Sequence, residues 1–375
     1  MLASTATHGM PYGGGPAAGS GLQQVHGEII GKVHTTGDIG PAALQVAVFA
    51  NAASIPHESG AVKDLGADGI FSLPAGIELP FILEVRGPGG QGRVYVTSFV
   101  PDDTLRISYP VVEEIVFLHT NDHHFDINLL DKFTETVSEI RGRYPDVFLF
   151  DAGDIFVRHP HRWVENDVPR NDVNWYADRA LRMVQVMNDL KYDALTLGNH
   201  EFDYVEYHTA NALQEAEFPI LSANVQVSTM HLPDPESFAW YQTRTGRSIA
   251  VLGLSVVSGN KEGVRQMDIL ETAADYMFLR DESDVLVALT HIGLEHDVSL
   301  AEEFPQIDVI IGGHSHHLIE EAVLVNGVLI AQAGGNQHVV SDLHPVYLGM
   351  VLVRLENGRV TEKTGHVVLL SDMAP

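Results

Sequence analysis

Five short, wholly apolar stretches in this chain run straight into clusters of histidine, aspartate and asparagine. IVFL (115–118) is followed by HTNDHHFD, VFLF (147–150) by DAGD, and ALTL (194–197) by GNHEFD. VLVAL (285–289) is followed by THIGLEHD and VII (309–311) by GGHSHH. Unbroken apolar runs of this length, instead of alternation, mark strands covered on both faces, as in a mostly parallel sheet. Helical segments such as LLDKFTETVSEIRGRY and WYADRALRMVQVMNDLKY alternate with them, which is the grammar of an α/β domain. Open α/β sheets bind ligands outside the carboxyl ends of their strands. Each cluster lies two to five residues past a strand end, so the five loops are expected to wall one site. Taken singly, each is an ordinary polar strand exit, and GNHE alone is a turn. Their conjunction, in this order, is what independent turns do not explain.

Composition narrows the chemistry. The 375 residues contain no cysteine, which excludes disulfides, zinc–thiolate sites, iron–sulfur clusters and a cysteine nucleophile. Twenty histidines stand against 22 lysines and arginines, in keeping with imidazole metal ligands. A formal charge of −28 argues against a nucleic-acid duplex or an anionic membrane as partner. It also means that an anionic substrate needs a locally positive site, which bound metal supplies. No window approaches eighteen uninterrupted apolar residues, and no basic segment followed by an apolar core opens the chain, so neither a membrane span nor a signal peptide is expected.

The chain divides into three parts. Residues 1–21 are small, polar and glycine-rich, and read as a flexible lead-in. Residues 22–111 carry GEIIGKVH, ALQVAVFAN, DGIFSLPA, PFILEVRG and RVYVTSFV, short period-two stretches separated by turn residues. They predict a small antiparallel β-sandwich, similar to transthyretin-like or carboxypeptidase-regulatory-like modules, with a structural or targeting role. SYPVVEE (108–114) marks the boundary, and 112–375 form the α/β domain. No internal repeat is present.

The series of motifs resembles the calcineurin-like metallophosphoesterases, and FLHTNDHHFDI, DAGD and GNHEFD resemble their 5′-nucleotidase branch over roughly residues 112–360. The resemblance implies a four-layer α/β/β/α sandwich and a periplasmic or secreted location. It assigns one metal ion to Asp122, His124, Asp154 and His316 and a second to Asp154, Asn199, His291 and His314, so that Asp154 bridges. Oxygen and nitrogen ligands without sulfur suit manganese, iron, zinc, nickel or cobalt. Two divalent ions set against two aspartates and a bridging hydroxide leave about one net positive charge, enough to draw a phosphate dianion. In the implied reaction the hydroxide attacks a small phosphate ester in line, with no protein nucleophile. His200 faces the leaving group. Asp203, three residues on, shares its face if a helix begins here and orients the imidazole, while Asn199 serves both metal and catalysis.

Two stretches depart from the family pattern. Residues 157–176 form a long polar connection in which Arg158, His159, His161, Arg162 and Trp163 either reach the substrate as a lid or form a solvated surface insertion. Residues 334–349 lengthen a glycine-rich turn and include His338, read as a surface residue. In the 5′-nucleotidases a C-terminal domain supplies an aromatic clamp for the base; this sequence ends at Pro375, and nucleotide specificity is not carried over to it. A dinuclear phosphoesterase of broad range, on monoesters or diesters, is therefore the leading expectation. A sulfur-ester hydrolase of the thiosulfohydrolase type on the same scaffold is one alternative. A secreted binding or adhesion protein with an inert hydrolase domain is another.

Overall fold

A strand can bury its apolar residues only against a partner face, and two separate sets of such faces organise the chain. The structure, a computed structural model, describes residues 23–24, 29–35, 43–49, 63–65, 67–73, 77–87, 90–98, 104–124, 130–156, 173–203, 209–228, 232–335 and 347–370. They form two compact units, one comprising residues up to Glu114 with Gln242–Arg247 and Arg354–Glu362, the other the remainder. The expected 1–21 lead-in lies outside the described residues, as do 157–172 and 336–346, with Arg158, His159, His161, Arg162, Trp163 and His338. Val173–Asp189 is a helix, so the connection expected to run to residue 176 ends by residue 172.

In the first unit, Lys63–Asp64, Gln45–Phe49, Phe81–Gly87 and Gly90–Val96 make an antiparallel sheet in that order. Ile70–Leu73, Ile29–Thr35 and Thr104–Tyr109 make a second. Val46, Leu83 and Val85 of one pack with Val33, Phe71, Leu105 and Ile107 of the other in a single core. The sandwich differs from the expected all-antiparallel one, because Ile29–Thr35 runs parallel to Thr104–Tyr109. Alternation reports which face a residue occupies and is blind to strand direction. Nor does Phe81–Val85 alternate, since all five residues are buried. Ile82 packs with Ala47 and Phe49 on the second face, and Glu84 is held there by Arg86 at 2.5 Å and Arg93 at 2.8 Å. Glu113 likewise takes Arg247 at 2.7 Å and the Thr245 hydroxyl at 2.7 Å, all three being buried.

The second unit holds two six-stranded sheets. One has the order Ile220–Leu221, Ala194–Thr196, Asp146–Asp151, Val112–Thr120, Tyr347–Glu356 and Arg359–Leu369, and its first four strands are parallel. The other has the order Phe238–Gln242, Ser248–Ser255, Val285–His291, Val309–Ile311, Val328–Ala331 and Val323–Val325, with four parallel strands in the middle. Leu130–Arg143 and Val173–Asp189 turn Phe133, Val137, Tyr176, Ala180, Met183, Val184 and Met187 onto Val116, Leu118, Leu149 and Leu195. This three- and four-residue spacing is the apolar stripe of a helix lying on a sheet. Ile269–Asp275, Leu279–Glu282 and Leu294–Glu303 cover the second sheet through Ala273, Leu279, Leu300 and Ala301. Ala194–Thr196 touches both Ser248–Ser255 and Val285–His291, so the sheets meet face to face in four layers, α/β/β/α. Among the described residues no helix is long and apolar enough to cross a membrane.

A histidine lies deep in the first sheet. His119 is 1% exposed, its Nδ1 has no partner, and a Cβ on Gly349 would collide with its ring. Burial takes the imidazole from its ordinary 6.5 down to about 4. The unfolded chain therefore binds this proton near pH 6.5 and the native chain only near 4. Native stability is lost as pH falls through that window, by about 2 kcal/mol at pH 5 from this group. All three tryptophans lie beyond residue 115, so their fluorescence reports the second unit. The urea midpoint of His119→Leu should accordingly fall less between pH 7 and pH 5 than that of the parent; parallel falls would show that His119 is not the group responsible.

Candidate metal centre

Parallel pairing brings the ends of neighbouring strands together, and here the pairing continues into the loops. Beyond the Thr120–Asp151 pair the backbone bonds run on through Ala152 N to Thr120 O (2.9 Å), Asp122 N to Gly153 O (2.8 Å) and His124 N to Asp154 O (3.0 Å). Asp122, His124 and Asp154 are thus fixed by main-chain bonds before any side chain acts. Ala194–Thr196 delivers Asn199, His200 and Asp203 beside them. A Cβ on Gly198 would lie inside the Asp154 carboxylate, so only glycine permits this approach. From the second sheet come His291, which is the last residue of its strand and not part of the loop beyond it, and His314 and His316. His291 Nδ1 bonds to Ala152 O at 2.6 Å, and His314 N donates to Asp122 Oδ2 at 3.0 Å, tying the two sheets' loops together.

The loops achieve this with unusual backbone. Asp122, His124, Asp154, His314 and His316 all have φ between 50° and 75°, the left-handed region. Asp and His tolerate it better than most residues, at about 1–2 kcal/mol each. In both D-x-H and H-x-H the turned residues alternate, which aims two side chains of each loop inward.

Asp154 is the centre of the cluster. Its Oδ1 accepts the His200 amide at 2.8 Å. Its Oδ2 faces His291 Nε2 at 3.1 Å, His124 Nε2 at 3.5 Å and His200 Nε2 at 3.9 Å. Asp122 Oδ1 faces His316 Nε2 at 3.2 Å. Donor atoms of Asp122, His124 and His316 lie within 4.8 Å of one another, as do those of Asp154, His291 and His314. His200 forms a third such group with His124 and Asp154. Asp122 Oδ1, His124 Nε2, Asn199 Oδ1, His291 Nε2 and His314 Nδ1 are all buried without a hydrogen-bond partner. Buried polar atoms are normally bonded, and the carboxylate and imidazole atoms among these, turned toward one another at these distances without bonding, fit shared cations.

The electrostatics agree. Burial would lower the His291 pKa, yet the Asp154 and Asp122 charges and the bond to Ala152 push it up to about 10. Burial would raise Asp154, but the facing imidazoles hold it well below the ordinary carboxylate range. Two buried carboxylates demand positive charge here. His124 and His314 are instead lowered, chiefly by burial, and so present neutral ring nitrogens, the form that binds metal.

The His200 ring sits beside this cluster and is bonded away from it. Residues His200–Phe202 form one 3₁₀ turn, whose three-residue period places Asp203 over His200, with Nδ1 and Oδ2 2.5 Å apart. Burial works against the charged ring, but Asp203 and the Asp154 carboxylate outweigh it and raise its pKa.

Several contributors were not legible in the motifs. Glu201, fully buried, accepts the amides of Gly198 (2.6 Å), Asp154 (2.9 Å) and Phe156 (3.1 Å), and burial beside Asp154 lifts it to about 7. Asn121 donates to Asp122 Oδ2 at 2.6 Å and accepts Ala333 N at 2.9 Å. Asp297 takes Thr290 Oγ1 at 2.6 Å and Gln332 Nε2 at 2.9 Å, and Gln332 accepts the Ser315 hydroxyl at 3.0 Å between His314 and His316. A sixth strand end also contributes, since Lys261 after Ser248–Ser255 reaches Asp203 Oδ1 at 2.8 Å. For Glu201, Asn121 and Ser315 the sequence signal was a polar side chain close to an expected ligand, whereas Gln332 and Lys261 lie close to none.

The chain belongs to the calcineurin-like phosphoesterase family, whose model matches residues 115–318, more than half of its length. It is 29% identical over 263 residues to the trifunctional nucleotide phosphoesterase protein YfkN of Bacillus subtilis, covering 59% of this chain and 17% of that protein. It is 26% identical over 308 residues to the human 5′-nucleotidase, covering 70% of this chain and 50% of that protein. The 5′-nucleotidase precursor of Thermus thermophilus has the same fold, with a TM-score of 0.55 at 24% identity over 68% of this chain and 54% of the other. The sequence similarities support the 5′-nucleotidase-like branch for this chain. The chain spans about half the length, or less, of these curated relatives.

Glu201→Ala would strand three buried amides that hold the Asp154 and Asn199 loops, at about 1–3 kcal/mol for each. Its urea midpoint should drop by an amount matching at least about 3 kcal/mol, with bound metal falling in parallel when measured by elemental analysis. Parent-like stability and metal content would mean that water replaces the carboxylate without cost.

Proposed function

We propose that this chain is a dinuclear-metal-dependent hydrolase of phosphate esters, with phosphomonoesters, phosphodiesters and nucleotides in its range. The observation that carries this reading is the ring of buried, unbonded donor atoms around Asp154. Asp122, His124, Asp154 and His316 would hold one divalent ion, and Asp154, Asn199, His291 and His314 the other. The names of the relatives, nucleotide phosphoesterase and 5′-nucleotidase, support nucleotides as a substrate class. When bound, the two ions supply Lewis acidity toward the phosphoryl oxygens and a water acidified toward neutrality.

The protein's own part is to place charge and one proton. His291 donates Nδ1–H to Ala152 O, so Nε2, which faces Asp154, is the ring nitrogen that would ligate once an ion takes the place of its proton. Asp154 presents one oxygen to both donor groups while its other is fixed by the His200 amide. His200, with Nδ1 engaged by Asp203, carries its transferable proton on Nε2, which faces the cluster. That proton goes to the ester oxygen as it departs, and Asp203 stabilises the ring before transfer and keeps its tautomer and tilt.

Two measurements test this reading. Purified protein should carry close to two transition-metal ions per chain, and chelation should abolish hydrolysis until manganese is restored. Asp154→Asn should lose both ions together. His200→Ala should keep both ions and lose about a hundredfold to ten-thousandfold on an alkyl phosphate, with a smaller loss on p-nitrophenyl phosphate, whose leaving group needs no proton. Metal loss in His200→Ala would make it a ligand, as its position near His124 and Asp154 allows. Full activity after exhaustive chelation would remove the mechanism altogether.

A further inference from the structure

The connection from Val256 to Gly263 follows a strand end to which the sequence motifs assign no chemistry, yet it brings a cation to the site. Lys261 Nζ donates to Asp203 Oδ1 at 2.8 Å, while the other oxygen of the same carboxylate engages His200 Nδ1 at 2.5 Å. The Asp203 side chain is 5% exposed and that of Lys261 20%. Exposed ion pairs contribute little, but a nearly buried carboxylate oxygen left without a donor is costly, and here Lys261 is that donor.

The lysine is held in place by construction. Asn224, fully buried, accepts Ser255 N at 2.9 Å and donates to Ser255 O at 2.8 Å, so it fixes the strand end where the connection starts. Val257 N donates to Gln266 Oε1 at 2.7 Å, and Ser228 N to Gly263 O at 2.7 Å, clamping the connection across its width. Val225–Val227 pairs with Val264–Gln266 directly after it. Val264 N closes a turn on Lys261 O at 3.2 Å, with Gly263 at φ +74°, the conformation a type II turn requires at its third position. Every backbone bond in this series sets where the Lys261 side chain starts.

An aspartate that touches an imidazole through one oxygen can still swing about its χ2 axis, and the ring swings with it. Fixing the second oxygen removes that freedom. We propose that Lys261 is a positioning residue for the general acid, the outer member of a Lys261–Asp203–His200 chain that aims His200 Nε2 at the departing oxygen. The proposal rests on the general-acid reading of His200. Lys261 does not touch the substrate in this scheme and acts only through Asp203.

The test uses the full chain loaded with manganese, in the variants Lys261→Met, Lys261→Arg, His200→Ala and the Lys261→Met/His200→Ala double. Each is assayed on p-nitrophenyl phosphate and on an alkyl phosphate, with bound metal measured alongside. Lys261→Met should lose about tenfold or more in kcat on the alkyl phosphate and less than about threefold on the aryl one, a fraction of the general-acid contribution. Its metal content should equal the parent's. Lys261→Arg, which keeps a cationic donor, should recover most of the loss. In the His200→Ala background Lys261→Met should have no further effect, because it acts through a ring that is gone. Equal losses on the two substrates, additive losses in the double variant, or no loss at all would overturn the assignment. A leaving-group bias in His200→Ala without one in Lys261→Met overturns only the role of Lys261. Bias in neither variant overturns the general-acid reading itself, and Lys261 with it. If Lys261→Met does not fold, Lys261→Ala, which also removes the donor, takes its place, and the same bias is required of it.

Discussion

Asp154 is a carboxylate buried to 2% exposure with three imidazole nitrogens from different segments within 3.9 Å of one oxygen. A group in that position must be surrounded by positive charge, and the whole second unit is arranged to supply it. Two sheets end their parallel strands at this point. His291, His314 and His316 arrive from one sheet, and His124 and His200 from the other. Because a single oxygen faces both donor groups, a shift of one loop disturbs both, which is why the surrounding bonds are so numerous.

Those bonds keep the left-handed backbone of five site residues from relaxing. Asn121 anchors Asp122 to the second sheet, and Glu201 gathers three amides around Asp154. The Thr290–Asp297–Gln332–Ser315 series holds the strand end of His291 and the loop of His314 and His316 at one spacing. Strain of about 1–2 kcal/mol per residue persists only where neighbours over-determine the conformation. The supporting side chains are buried and mutually bonded, so they serve a site geometry that propensity alone would not choose.

The first unit solves a different problem with the same physics. Phe81–Val85 is buried on both faces, which forces Glu84 inside, and Arg86 and Arg93 bond it there. Glu113 and Arg247 form a second buried pair, from stretches 134 residues apart in sequence. Such pairs add little net stability compared with apolar packing, but breaking one costs about 3–5 kcal/mol, so they fix which partner each segment accepts.

The order of residues carried local information. Unbroken apolar runs marked the strands, a 3–4 residue period marked the helices that cover them, and D-x-H, GD, GNHE and H-x-H marked where chemistry would gather. Three-residue spacing was enough to pair His200 with Asp203, since that contact spans one turn. Alternation placed faces in the N-terminal module but not strand direction, so the parallel pairing of Ile29–Thr35 with Thr104–Tyr109 went unread. The supporting contacts lay outside its reach because they join distant segments. Lys261 meets Asp203 across 58 residues, Asn121 meets Ala333 across 212, and nothing in either local pattern encodes the other. Backbone turned to positive φ could be tolerated by Asp and His wherever they occur, and only the packing of two sheets against each other decided that five of them would adopt it here.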